Sequence, residues 1–284
     1  MTEAWGFGIV RTANWSDGKA PFAELCELAS TALGVRFKPI MTTSYDELAE
    51  AIGDGEVGVA WLPPVPTVEL EGRGAVSILA IPARRGGTSY HAAFIVRRGG
   101  PKTLAELRGR RAAWTQRDSA SGYLIPRMHL AAQGFDVLRF FARELFVHSH
   151  ASVVEAVVSG DADVGAAWCY VDGATGKIAR SAWQDDAGAN LRPIEVLATT
   201  SAIPNDAIVA SSQVQAATRS GLTRWLLSLD GRARELFEMV VGSGDFRVPA
   251  PDHYDMLRHA LRAARARGHD ALPPSSRMRM RVGR

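Results

Sequence analysis

Cysteine is scarce: the 284-residue chain has two, Cys26 and Cys169. Their spacing fits neither a metal motif nor a disulfide framework, and each stands in an apolar setting, so both are expected as buried free thiols. No stretch reaches the ~18 consecutive apolar residues needed to cross a bilayer, so the sequence predicts no membrane-spanning helix. Met1 to Arg11 lacks the basic start, apolar middle and small-residue cleavage site of a signal peptide. As written, the chain is expected in the cytoplasm. A form from which a leader had been removed would read the same, and would work in the periplasm or outside the cell. Charge of one sign is also wanting: 33 Lys plus Arg against 30 Asp plus Glu leave a formal net charge of +3. That balance gives no argument for nucleic acid or a membrane surface as partner. Much of the basic excess lies between Arg258 and Arg284, and residues 268–284, with an Arg-Met-Arg-Met-Arg run at 277 to 281, are expected to form a solvated, flexible tail. Catalytic signatures are missing as well. There is no Gly-x-Ser-x-Gly elbow, His-Glu-x-x-His helix, Gly-Lys-Ser/Thr phosphate loop or pair of metal ligands, and Gly6-Phe-Gly8 is too short for a dinucleotide site. No cofactor or metal is expected, and binding is favoured over catalysis.

What is present is a soluble globular composition, 46% hydrophobic and 22% charged, in a chain long enough for two lobes. Strand-like and helix-like segments alternate. Trp5 to Val10 reads as a strand, and Pro21 to Leu33 as a helix whose apolar stripe (Phe22, Leu25, Cys26, Ala29, Leu33) stops at Gly34. Ser44 begins a second helix, with Glu47 completing a capping box. The pattern returns in Arg111 to Thr115 (strand), Gly122 to Gln133 (helix), Glu144 to Val147 (strand), His150 to Ser159 (helix) and Asp163 to Trp168 (strand). Alternation of this kind predicts an α/β fold, each lobe a mostly parallel sheet flanked by helices. Crossings are expected near Arg98 to Pro101 and near Thr199 to Pro204. They give lobe I as residues 1–98 and 204–284 and lobe II as 99–203, with the ligand cleft at the carboxyl ends of the strands.

The sharpest local feature is Trp114-Thr-Gln-Arg-Asp-Ser-Ala-Ser-Gly122, between a strand and a helix. Ser119 and Ser121 bring hydroxyls to the first helical turn, and Gly122 allows close backbone approach. The unpaired amides and the positive end of the helix dipole favour an anion there; the alternative is a plain N-cap. Val147-His-Ser-His150 repeats the arrangement, with His148 and His150 as donors to an anion or as structural residues. Asp161 and Asp163 read as turn or amide-capping residues. Tyr45, Trp61 and Tyr90 stand at the ends of successive elements, either as core aromatics or as cleft wall. In Ile203-Pro-Asn-Asp206, Asp206 is a turn residue or the partner of a ligand cation.

Taken in order, these segments resemble the phosphonate-binding components of ABC importers, a family of type 2 periplasmic binding proteins. The resemblance rests on Tyr45 and its helix, Val59-Ala-Trp-Leu-Pro-Pro64, Tyr90-His-Ala-Ala-Phe-Ile-Val96, Leu104-Ala-Glu-Leu-Arg-Gly109, Asp118-Ser-Ala-Ser-Gly122 with Pro126, His150 to Asp163, and Ile203-Pro-Asn-Asp206. It implies a Venus-flytrap protein, expected as a monomer, that closes two lobes over a small phosphonate-, phosphite- or phosphate-like anion and serves an ABC permease. By the same resemblance Ser119, the Ala120 amide, Ser121 and His150 would hold the oxyanion from one lobe, with Tyr45 and Tyr90 approaching from the other. Aminophosphonate binders of the family hold the ligand's amine with two acids. Asp206 matches one of them, but Tyr170 stands near the place of the second, which leaves plain phosphonate, phosphite, phosphate or another anion as ligands. Two other readings use the same fold: a cytoplasmic enzyme acting on a small anion, with His148 or His150 as its base, and a ligand-sensing regulator.

Overall fold

The computed structural model describes residues 4–11, 19–117, 119–184, 189 and 193–266. Asp118 and the expected basic tail lie outside the described residues. The chain divides into two compact units, Met1–Ser89 with Pro204–Leu257, and Tyr90–Ile203 with Arg258–Arg284.

In chain order the elements are β1 (Ala4–Val10), α1 (Lys19–Leu33), β2 (Arg36–Thr42), α2 (Tyr45–Gly53), β3 (Val59–Leu62), α3 (Pro64–Gly72), β4 (Val76–Pro82) and β5 (Ser89–Arg97). A 3-10 turn at Ala105–Leu107 leads to β6 (Arg111–Trp114). A π-helical turn at Ala120–Leu124 runs into α4 (Ile125–Ala132), followed by β7 (Arg143–Phe146), α5 (His150–Ser159), β8 (Val164–Val171), β9 (Ile178–Ser181) and β10 (Ile194–Thr199). The remainder is β11 (Ile203–Pro204), β12 (Ala207–Ser211), α6 (Ala216–Leu227), α7 (Gly231–Val241), β13 (Phe246–Arg247) and α8 (Asp255–Ala266).

The first unit holds a six-stranded sheet in the order β13-β4-β12-β3-β1-β2. Its apolar stripes meet in one core, where Phe7 and Ile9 of β1 and Phe22, Leu25 and Cys26 of α1 join Val59, Ile208, Leu222 and Phe237. Truncating a buried leucine such as Leu25 to alanine costs about 2–5 kcal/mol. α1 ends where Gly34, at φ +66°, takes the left-handed conformation that stops a helix, its N–H donating to the Ser30 carbonyl at 2.9 Å.

The second unit holds the sheet β10-β5-β8-β6-β7, cored by Ala93, Ile95, Ala113, Val153, Val157, Ala167 and Cys169. β5 pairs antiparallel with β8 and β10. The strand through Arg97, assigned by sequence to the first lobe, is therefore part of the second sheet: Ala93 and Ile95 bury into that core rather than the first. Both sheets are mixed. β1 pairs parallel with β2 and β3, and β6 with β7 and β8, while β12, β13, β10 and β9 enter antiparallel. Cys26 and Cys169 are buried free thiols, both pushed up to about 12 by burial. Among the described residues no helix is long and apolar enough to cross a membrane.

β6 lies between β7 and β8 and is parallel to both. The chain therefore leaves β6 and β7 at the same edge of the sheet, and each time it turns into a helix. This edge carries Ser119 to Gly122 and His150, the residues marked by sequence.

Candidate oxyanion-binding site

Ser119 caps the first of these helices: its Oγ accepts from the Gly122 N–H at 3.1 Å. The helix opens as a π turn, with the Leu124 N–H donating to the Ser119 carbonyl, two residues earlier than the sequence predicts because Ser119 rather than Ser121 is the cap. π turns of this kind recur at functional positions. Amides in the first turn have no acceptor within the helix. With Gly122's satisfied by Ser119, those of Ala120 and Ser121 have no acceptor among the hydrogen bonds of the described residues. Ala120, Ser121 and Gly122 are all buried; Ser121 is 3% exposed. Gly122 is required by space, since a Cβ there would lie 2.0 Å from Thr115 Oγ1 and 2.8 Å from Ser119 Oγ.

The second helix start is tied to the first through β6. The Val147 N–H donates to the Trp114 carbonyl and the His148 N–H to the Thr115 carbonyl, each at 2.9 Å. The Ser149 N–H then reaches back to the Val147 carbonyl, closing a γ-turn in which His148 has φ +65°, a conformation costly for a non-glycine residue. The His148 side chain is exposed. Ser149 caps α5 through the Ser152 N–H at 3.0 Å. His150 follows with a buried Nδ1 that has no hydrogen-bond partner. Burial holds its imidazole down at about 4 against a weaker opposing pull from the Ala166 carbonyl, so at neutral pH it is uncharged.

Behind Gly122 the loop is clamped by aromatic and charged groups that the sequence did not single out. Tyr123 lies between two guanidinium groups, Arg117 at 5.8 Å and Arg127 at 5.1 Å from its ring centre. Arg117 also covers Phe146 at 4.5 Å and donates to Tyr123 Oη at 3.2 Å. Arg127 pairs with Glu144, whose Oε2 also accepts from Trp114 Nε1 at 2.6 Å. Of these, Trp114 and Arg117 sat within the Trp114–Gly122 segment marked by sequence; the Arg127–Glu144 pair joins residues with no local signature. Asp163 accepts from the Arg111 N–H at 2.9 Å and its guanidinium at 3.0 Å, while Asp161 accepts from Ser159 Oγ.

Tyr90 and Tyr170, on β5 and β8, bring their ring centres within 6.3 Å, and β8 packs against the Ala120–Leu124 turn. Tyr45, half-buried, is the first residue of α2 behind the Ser44 cap. Asp206 and Trp61 meet in the first unit in an arrangement not foreseen. Asp206 accepts from Trp61 Nε1 and from both terminal nitrogens of Arg84, at 2.6 and 2.9 Å. The Arg84 and Asp206 side chains are only 17% and 16% exposed, and Arg84 also donates to the Val241 carbonyl. The carboxylate expected to meet a ligand cation already has one.

The model of the phosphonate ABC transporter periplasmic substrate-binding protein family matches residues 7–254. The chain belongs to that family. It is a solute-binding protein on the two-lobed fold of type 2 periplasmic binding proteins. Solved structures share the fold. XAC2383 from Xanthomonas citri, bound to chloride ion, superposes with a TM-score of 0.76 at 21% identity, covering 93% of this chain and 99% of that one. A binding protein component of an ABC phosphonate transporter from Pseudomonas aeruginosa gives 0.70 at 17% identity, over 96% and 90%. PhnD1 from Prochlorococcus marinus, in complex with methylphosphonate, gives 0.71 at 16% identity, over 94% and 99%.

Proposed function

We propose that this family member holds its oxyanion at the Ser119–Gly122 helix start, binds it without converting it, and delivers it to an ABC permease from outside the cytoplasmic membrane. The observation that carries this reading is the buried, Ser-capped π turn at the carboxyl end of a parallel strand. Its Ala120 and Ser121 amides, the Ser121 hydroxyl and the helix dipole are the groups that would receive a negative charge. His150 adds an uncharged ring at the neighbouring helix start. Tyr90 and Tyr170 are proposed contacts on the same unit, and Tyr45 and Trp61 are proposed contacts from the first. Charge-assisted hydrogen bonds of about 1.5–3 kcal/mol each, four or five together, are enough for micromolar affinity after ordering costs.

The ligand class follows from Asp206 and position 170. Asp206 is occupied by Arg84 and position 170 is a tyrosine, so a ligand ammonium group has no carboxylate waiting for it. Alkylphosphonate, phosphite and phosphate fit better than an aminophosphonate. Native mass spectrometry of the purified protein tests the reading: a single retained oxyanion of this class supports it, and a retained organic cation or neutral sugar sinks it.

A further inference from the structure

Thr115 follows β6 directly and is 3% exposed. Its backbone is fully engaged, with the N–H donating to the Gly122 carbonyl and the carbonyl accepting from the His148 N–H. Its hydroxyl is not: Thr115 Oγ1 is buried with no hydrogen-bond partner. Buried hydroxyls are nearly always paired, because leaving one without a partner forfeits its hydration for nothing. The orphan also has a definite direction. Measured from the point where a Gly122 Cβ would sit, Thr115 Oγ1 is at 2.0 Å and its methyl at 2.7 Å, while Ser119 Oγ is at 2.8 Å. The hydroxyl, not the methyl, is turned toward the first turn of the helix, beside the capping serine. Ser119 Oγ accepts from the Gly122 amide, and no hydrogen bond joins the two hydroxyls.

We infer that Thr115 is a further ligand-binding residue, its hydroxyl donating to the oxyanion held at the Ser119–Gly122 helix start. This rests on the proposed oxyanion reading and adds to it a donor from the strand end rather than the helix. A strand-end hydroxyl locked by two backbone hydrogen bonds is preorganised, and it gains its missing partner only when the anion arrives.

Calorimetry of the full chain with inorganic phosphate and with methylphosphonate, comparing the unaltered protein with Thr115→Ala and Thr115→Ser, tests this. Alanine removes the hydroxyl without adding bulk near Gly122, and serine restores it. Thr115→Ala is expected to weaken binding about tenfold to a hundredfold, the loss of one hydrogen bond to a charged group. Thr115→Ser should stay within about threefold of the unaltered protein. Equal affinities for the unaltered protein and Thr115→Ala overturn the assignment while leaving the oxyanion reading standing. Equal weakening by Ala and Ser points to packing by the methyl group and also overturns it. If the unaltered protein binds neither probe, the oxyanion reading falls first and the Thr115 assignment with it.

Discussion

The Arg84 guanidinium grips the Asp206 carboxylate with both terminal nitrogens, at 2.6 and 2.9 Å. With both side chains largely buried, removing one partner strands the other. Arg84→Met is expected to destabilise the protein by on the order of 3 kcal/mol. Adding Asp206→Asn should recover part of that loss, because the stranded charge is gone. The same pair bears on specificity. In the unaltered protein 2-aminoethylphosphonate should bind no better than methylphosphonate, and Arg84→Met, with Asp206 unpaired, should shift that ratio toward the amine. Denaturant titration and competition binding read the two effects separately.

Gly122 tests the helix start without touching a hydroxyl. An alanine methyl there runs into Thr115 and Ser119, both held by β6 and the cap. Gly122→Ala should cost about 1–3 kcal/mol of stability through overpacking and displace the Ser119 cap. Oxyanion affinity should fall more than in a surface variant of equal stability.

His150 gives the site a pH signature. Its imidazole is held at about 4 in the folded protein by burial, against about 6.5 when unfolded. The unfolded state therefore binds more protons between these values, and stability falls as pH drops through that window. The contribution is fully present above about pH 6.5 and amounts to on the order of 3 kcal/mol lost by about pH 4. Denaturant melts at pH 7.5 and 4.5 should show a smaller gap for His150→Gln than for the unaltered protein.

His148 separates backbone from side chain. At φ +65° its cost is conformational, so His148→Gly should lie within about 1 kcal/mol of the unaltered protein. A β-branched His148→Val should be destabilised by about 1–3 kcal/mol. Equal losses for both would assign the position to the imidazole instead.

These groups also mark what could be read from sequence. The α1 stripe and its stop at Gly34 were legible because periodicity and a left-handed glycine are local. So was the Ser44 cap, whose Oγ accepts from the Glu47 N–H at 3.1 Å, with Glu47 reaching back to the Thr43 N–H at 2.8 Å. The Ser119–Gly122 helix start was visible for the same reason, although its π opening was not, since that depends on which serine caps. Arg84 was invisible. It meets Asp206 across 122 positions, and no spacing rule joins an arginine in a tight turn to an acid that far away. Thr115 was equally hidden, because its significance lies in a missing partner, which only the packed neighbourhood reveals. β9 and β13 escaped notice as short edge strands with little alternation to detect.

The central claim is that the Ser119–Gly122 helix start binds a small oxyanion. Isothermal titration calorimetry of the unaltered protein and of Ser121→Ala against methylphosphonate, phosphite, phosphate and sulfate tests it most directly. The account predicts micromolar or tighter binding of at least one of the phosphorus oxyanions, weakened at least about tenfold by Ser121→Ala. Binding of none of them below millimolar concentration, or affinity untouched by Ser121→Ala, would contradict it.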